Sequence, residues 1–120
     1  MIGSDNSGHE TNVIDIDPVA AAAVVAESGA ILLDVREDDE WAGGHAPGAV
    51  HVRLGDLEVG TFDGTVPVVA VCKSGRRSAA AATRLAAAGV PVYNVDGGMT
   101  AWQHAGLRVI RDDGTPGAVI

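Results

Sequence analysis

The chain has 120 residues, 47% of them hydrophobic, which suffices for one modest core and predicts a single domain. Its formal net charge of −8 argues against general binding to nucleic acid or to an anionic membrane, because both require a basic surface. One cysteine excludes an intrachain disulfide and leaves a single thiol for packing or for chemistry.

The N-terminal segment carries no signal for structure. Residues 1–12 are polar and rich in Gly, Ser and Asn, so we expect a disordered lead. The segment has no basic stretch followed by an apolar run, and nowhere does the chain contain the roughly 18–20 apolar residues needed to span a bilayer. The sequence therefore predicts a soluble cytoplasmic protein.

The first predicted helix covers residues 18–28. Asp17 is a suitable N-cap, Pro18 suits the first turn, and Gly29 stands where a C-terminal stop is expected. The run AILLDV at 30–35 is apolar on both faces, which predicts a buried parallel strand.

A polar segment follows this strand. Asp34 and Arg36 fall at the carboxyl end of the strand, and residues 37–44 predict a short helix that ends at two glycines. The acidic run from Glu37 to Glu40 is expected to be a solvated helix start. The triplet at 50–52 predicts a brief strand.

The second half continues the alternation of strands and helices. Residues 66–72 predict the central strand, and residues 78–88 predict a helix with Ser78 as its cap. A strand is expected at 90–95 and a further helix at 97–106.

This alternation predicts an α/β fold, a three-layer sandwich with a mainly parallel central sheet of about five strands flanked by helices. The run LRVI at 107–110 is expected to add edge structure, and residues 111–120 to form a C-terminal tail. In such sheets ligands collect at the carboxyl ends of the strands, and Cys72 lies at such an end.

The segment CKSGRRS, residues 72–78, joins the central strand to a helix. A short loop with Gly75 can turn successive backbone N–H groups inward, and Lys73, Arg76 and Arg77 add positive charge. These groups and the helix N-terminus favour a thiolate at Cys72. A lone cysteine that closes an apolar strand is commonly an inert core residue, but three neighbouring cations indicate a reactive one.

Other residues could suggest a metal or a cofactor. His45 and His51 flank a Pro-Gly turn at a spacing that matches no common zinc site, so we expect turn and core roles for them and no metal. Trp41 and Trp102 are expected to anchor the core. No cofactor is predicted.

Four segments resemble the rhodanese homology domain, the thiosulfate sulfurtransferase family. They are LLDVRE (32–37), GHAPGAVHV (44–52), VVAVCKSGRRS (68–78) and VDGGMTAW (95–102), in the order and spacing of that family. The resemblance covers residues 13–106, and we expect the rhodanese domain to occupy 13–110.

The resemblance implies covalent sulfur transfer through Cys72. The thiolate would take the outer sulfur of thiosulfate, or of a related persulfide donor, and pass it to cyanide, a thiol or an acceptor protein. Amides of the loop from Lys73 through Ser74 and Gly75 to Arg77 would surround the persulfide, with Ser78 completing the loop. No nucleic acid or membrane partner is implied.

Three further assignments follow from the resemblance. Lys73 and Arg76 would attract the anionic substrate, and Arg77 would organise the loop. Asp34 and Arg36 match the Asp-x-Arg of the family, where we expect them to brace the loop rather than take part in catalysis.

Two other functions use a similar thiolate. A cysteine phosphatase or arsenate reductase holds its thiolate in a loop closed by arginine, but with one residue more than the four between Cys72 and Arg77. A rhodanese-like module could instead relay sulfur to a partner protein or sense oxidants through the same thiol.

Overall fold

The computed structural model describes residues 13–120, so the disordered lead predicted for 1–12 lies outside the described residues. Within this range one sheet contains five parallel strands in the order β1-β5-β4-β2-β3. The strands are β1 (Ile14–Ile16), β2 (Ile31–Asp34), β3 (Val50–His51), β4 (Val68–Val71) and β5 (Val92–Val95). The helices are α1 (Pro18–Ser28), α2 (Asp38–Gly43), α3 (Arg76–Ala87) and α4 (Gly98–His104).

Helices cover both faces of this sheet. Side chains alternate along β4, so that Val68 and Ala70 pack with α3 on one face. Val69 and Val71 pack with residues of α1 and α4 on the other face. The predicted three-layer α/β sandwich is therefore confirmed, and the sheet is parallel throughout the described residues.

The first helix has the predicted bounds because its capping residues form the expected contacts. The Asp17 carboxylate accepts a hydrogen bond from the Ala20 N–H at 2.8 Å. Gly29 adopts a φ of 70° and donates its N–H to the Val25 carbonyl at 3.1 Å.

The start of α3 differs from the prediction. The helix begins at Arg76 with Gly75 as its N-cap, two residues before the expected Ser78 cap. Gly75 has a φ of 106°, which lets the chain turn from strand to helix earlier than a residue with a Cβ would allow. Ser78 consequently lies buried inside the first turn of the helix, where its hydroxyl is free for other contacts.

The fifth strand precedes the first predicted helix, where the sequence predicts no strand. Residues 14–16 form β1 at the edge of the sheet, beside β5. The edge structure expected at 107–110 consists of isolated antiparallel bridges of Ile110 with His45 and Pro116. A three-residue strand is too short to show a pattern in sequence, so only its pairing with β5 reveals it.

The last ten residues fold back onto the end of α2. The Ala118 N–H donates to the Gly43 carbonyl at 3.0 Å, and a Cβ on Gly44 would come within 2.6 Å of the Ala118 nitrogen. Between residues 13 and 120, no helix has the length and apolar character required to cross a membrane.

Candidate active site

Cys72 directly follows β4, the middle strand of the sheet, and is 1% exposed. Its sulfur accepts a hydrogen bond from the Gly75 N–H at 3.1 Å and lies 3.3 Å from Ser78 Oγ. Burial raises the pKa of the Cys72 thiol, but hydrogen bonds from the Ser78 hydroxyl and from the amides of Ser78, Gly75 and Ser74 outweigh burial and leave this pKa below its ordinary value. The site therefore stabilises the thiolate relative to an ordinary cysteine.

The first turn of α4 orients the start of the loop. The Met99 N–H donates to the Cys72 carbonyl at 2.7 Å, and the Thr100 N–H donates to the Lys73 carbonyl at 3.0 Å. Gly98 has a φ of +59°, and a Cβ there would collide with the same two carbonyl oxygens. Gly98 of the VDGGMTAW segment thus allows α4 to approach the loop, so that the helix amides bind the loop carbonyl groups.

Two of the three predicted cations lie at the surface of the loop. Lys73 and Arg76 are exposed, and neither forms an ion pair with any residue from 13 to 120. Ser74 between them is exposed as well. These side chains can therefore meet an anion that approaches from solvent.

The third cation, Arg77, is held by Glu40 of α2. Its Nη1 donates to Oε1 at 2.7 Å and its Nη2 to Oε2 at 2.8 Å. The hydrogen bonds from Arg77 outweigh partial burial and lower the pKa of the Glu40 carboxyl to about 2, while the carboxylate raises the pKa of Arg77. Only 15% of the Glu40 side chain is exposed, so the prediction that the whole acidic run is solvated is wrong for this residue.

Asp34 and Arg36 form a fully buried ion pair at the end of β2. Arg36 Nη2 lies 2.8 Å from Asp34 Oδ2, and Arg36 Nε lies 3.0 Å from Asp34 Oδ1. The guanidinium also donates to the Gly44 carbonyl at 2.8 Å. No hydrogen bond within residues 13–120 joins either side chain to the Cys72 loop, so these contacts brace β2 against the segment after α2.

Asn94 is a residue of the site that the sequence analysis missed. It lies buried in β5, and its Oδ1 accepts a hydrogen bond from the Ser78 hydroxyl at 2.6 Å. Its Nδ2 donates to Asp15 Oδ1 at 3.2 Å and to the Gly75 carbonyl at 3.3 Å. One polar residue within the otherwise apolar run VPVYNV was the available signal, because a buried amide requires hydrogen-bond partners.

The two histidines flank Trp41. The ring centroids of Trp41 and His45 lie 3.6 Å apart, and those of Trp41 and His51 lie 4.7 Å apart, with interplanar angles of 4° and 6°. Two imidazoles this close would overlap on one face, so they stack on opposite faces of the indole. Trp41 is half-buried, which corrects its expected place in the core, whereas Trp102 is buried there. Residues 13–120 contain no cluster of side chains that could hold a metal ion.

The fold and this loop define an α/β domain with a hydrogen-bonded cysteine at the carboxyl end of its central strand. The chain belongs to the family described as the rhodanese-like domain, whose sequence profile matches residues 17–105. Several members of this family are named as sulfurtransferases.

Individual relatives agree with this membership. The protein YtwF of Bacillus subtilis is 38% identical over 96 residues, which are 75% of this chain and 93% of the relative. The thiosulfate sulfurtransferase GlpE of Pseudomonas entomophila is 38% identical over 93 residues, 73% of this chain and 83% of the relative. The crystal structure of a rhodanese-like domain protein from Staphylococcus aureus matches with a TM-score of 0.68 and 32% identity, over 74% of this chain and 90% of that chain.

Proposed function

We propose that this protein transfers sulfane sulfur from thiosulfate, or from a related persulfide donor, to a thiophilic acceptor through a persulfide on Cys72. The observation that carries the proposal is the polar contact at the sulfur of a buried cysteine: the Gly75 amide donates to it, and the Ser78 hydroxyl lies 3.3 Å away, where it can donate once the thiolate forms. These donors favour the thiolate, the form of cysteine that attacks sulfur.

The transfer takes two displacements. In the first, the Cys72 thiolate forms a bond to the outer sulfur of thiosulfate, the S–S bond of thiosulfate breaks, and sulfite leaves with its electron pair. In the second, cyanide or a thiolate bonds to the terminal sulfur, and the Cys72 thiolate is regenerated. The loop amides stabilise the anionic terminal sulfur between the two steps, because preorganised N–H groups need not reorient as charge moves.

Two features of the site favour this reaction over phosphoryl or arsenate chemistry. Arg77 donates two hydrogen bonds to the Glu40 carboxylate, so its guanidinium is not free to bind the equatorial oxygens of a phosphoryl group. Cys72 is 1% exposed, so a narrow terminal sulfur reaches it more easily than a tetrahedral oxyanion.

Lys73 and Arg76 remain exposed at the loop, where they can attract a dianionic donor or an acidic surface of an acceptor protein.

Intact-mass measurement tests this proposal directly. Incubation of the protein with thiosulfate should add one sulfur atom, and cyanide should then remove it as thiocyanate. The Cys72→Ser variant differs by a single atom and should show neither change. If the mass of the wild-type chain does not change with thiosulfate or with a small persulfide, the proposal is wrong.

A further inference from the structure

The Ser78 hydroxyl faces two acceptors with only one hydrogen. Its Oγ lies 2.6 Å from Asn94 Oδ1 and 3.3 Å from Cys72 Sγ. Two oxygens at 2.6 Å repel each other unless a hydrogen lies between them, so the hydroxyl hydrogen points at Asn94. In this arrangement Ser78 offers the sulfur a lone pair, which suits a neutral S–H group and not a thiolate.

The amide of Asn94 is fixed with its oxygen toward Ser78. Its Nδ2 group meets two acceptors, Asp15 Oδ1 and the Gly75 carbonyl. A flipped amide would place its oxygen against both of these oxygens, so the flip is unfavourable. Asp15 lies beside Asn94 because β1 pairs with β5 in the register that aligns these two residues. The family profile begins at residue 17, so this contact comes from a segment outside the match.

We propose that Asn94 is a positioning residue that competes with the sulfur of Cys72 for the hydrogen of Ser78, so that the hydroxyl turns to the sulfur only while the sulfur carries the charge. When Cys72 is a thiolate, the hydrogen of the Ser78 hydroxyl points at Sγ, and Asn94 Oδ1 loses its donor. Once a persulfide forms, the charge moves to the terminal sulfur and the hydrogen returns to Asn94. The Ser78 hydroxyl thus reorients each time the charge on Cys72 Sγ appears or leaves. Competition from Asn94 makes the thiolate less stable than it would be without Asn94.

This inference rests on the proposed function only in treating Cys72 as the reacting group. The charged groups on the elements packed near Cys72 are Lys73 on the loop, Arg76 and Arg77 on α3, Asp34 at the end of β2, Arg36 just after it, Glu40 on α2, Asp96 after β5 and Asp15 on β1. Substitution at Asn94 or Ser78 removes none of these charges. Replacing Asn94 does release Asp15 and the Gly75 carbonyl, and the Ser78→Ala background controls for that change. A difference between such variants therefore reports the hydroxyl and not the surrounding charge.

The test is a pH titration of the Cys72 thiolate, followed by its ultraviolet absorbance, with the matching Cys72→Ser protein subtracted from each variant. In Asn94→Ala the freed hydroxyl donates to the thiolate without competition, so the midpoint should fall by about 0.5–1 pH unit, the equivalent of one ordinary hydrogen bond. Ser78→Ala removes the donor, and its midpoint should rise. In the double variant the midpoint should equal that of Ser78→Ala.

Asn94→Val keeps a residue suited to a buried strand and should also lower the midpoint, which covers the case in which Asn94→Ala does not fold. An unchanged or raised midpoint in the folded Asn94 variants overturns the inference. The inference is also overturned if replacing Asn94 lowers the midpoint equally in the Ser78→Ala protein, because Asn94 would then act without Ser78. The titration needs no sulfur donor, so a failure of sulfur transfer in the mass measurement is a separate result.

Discussion

Arg77 and Glu40 form a two-point ion pair that joins α3 to α2 beside the Cys72 loop, with nitrogen–oxygen distances of 2.7 and 2.8 Å. Pairing with Arg77 lowers the pKa of Glu40 from 4.5 to about 2. A carboxyl whose pKa falls on folding stabilises the native state above its unfolded pKa. The stabilisation is lost as the pH drops from 4.5 toward 2.

Glu40→Gln should therefore lower the free energy of unfolding at pH 7 by about 1–2 kcal/mol, a value reduced from the full pKa shift because solvent screens the partly exposed Arg77. The difference from wild type should narrow as the pH falls below 4.5. Urea unfolding at several pH values measures both effects. Asp39→Asn removes an exposed acid from the same helix and should change stability by only a few tenths of a kcal/mol. If Glu40→Gln lowered the free energy of unfolding by the same amount at every pH, this account would be contradicted.

The fold could be predicted from the sequence because its signals are local. Pro18 and Gly29 mark the ends of α1, and the apolar runs that became β2, β4 and β5 are short and continuous. Strand β1 could not be predicted in this way. Its three residues Ile14–Ile16 are held by pairing with β5, a partner nearly eighty positions away in the chain.

Part of the site can likewise be predicted from the sequence, and part depends on how distant segments pack together. The cysteine, the glycine and the cations of the loop are contiguous, so their chemistry can be read from one segment. Glu40 and Asn94 reach the loop only through the packing of α2 and the register of β5. In sequence Glu40 resembles an ordinary surface acid, and the polar Asn94 in an apolar run indicates that it needs a hydrogen-bond partner but not which one.

The exposed cations of the loop should act mainly on donor binding. Neutralising both in Lys73→Gln/Arg76→Gln removes two solvated charges worth up to about 1 kcal/mol each, so KM for thiosulfate should rise about 3- to 20-fold with little change in kcat. The rise should shrink at high salt, because ions screen exposed charges. Steady-state formation of thiocyanate measures both constants.

Arg108→Gln/Arg111→Gln provides the matched control for this variant. It removes the same total charge from two exposed positions outside the loop. Its KM should remain near the wild-type value. A loss confined to kcat in the loop variant would instead indicate that the two cations stabilise the transition state.

Removal of one partner of the Asp34–Arg36 pair should be costly. Asp34→Leu leaves the fully buried guanidinium of Arg36 without its counter-ion, which should destabilise the fold by about 3–5 kcal/mol. The double variant Asp34→Leu/Arg36→Met removes both charges and should recover part of this loss, measured by urea unfolding. Sulfur transfer per folded molecule should persist in the double variant. Loss of sulfur transfer in the folded double variant would show that Asp34 or Arg36 takes part in the chemistry.

Gly98 should be the least replaceable glycine of the site. A Cβ at this position would meet the carbonyl oxygens of Cys72 and Lys73, and its φ of +59° disfavours any side chain. Gly106 has a φ of +79° but no atom within 4 Å of an added Cβ. A substitution there therefore measures the free-energy cost of the backbone conformation without a steric clash.

Gly106→Ala should therefore lower the free energy of unfolding by about 1 kcal/mol and leave sulfur transfer unchanged. Gly98→Ala should lower the free energy by about 2–4 kcal/mol, because the steric clash adds to the same backbone cost. It should also displace the two carbonyls, weaken the amide contacts at the sulfur and raise the midpoint of the Cys72 thiolate titration. Equal losses of stability in the two variants, with the same thiolate midpoint, would show that α4 does not set the shape of the loop.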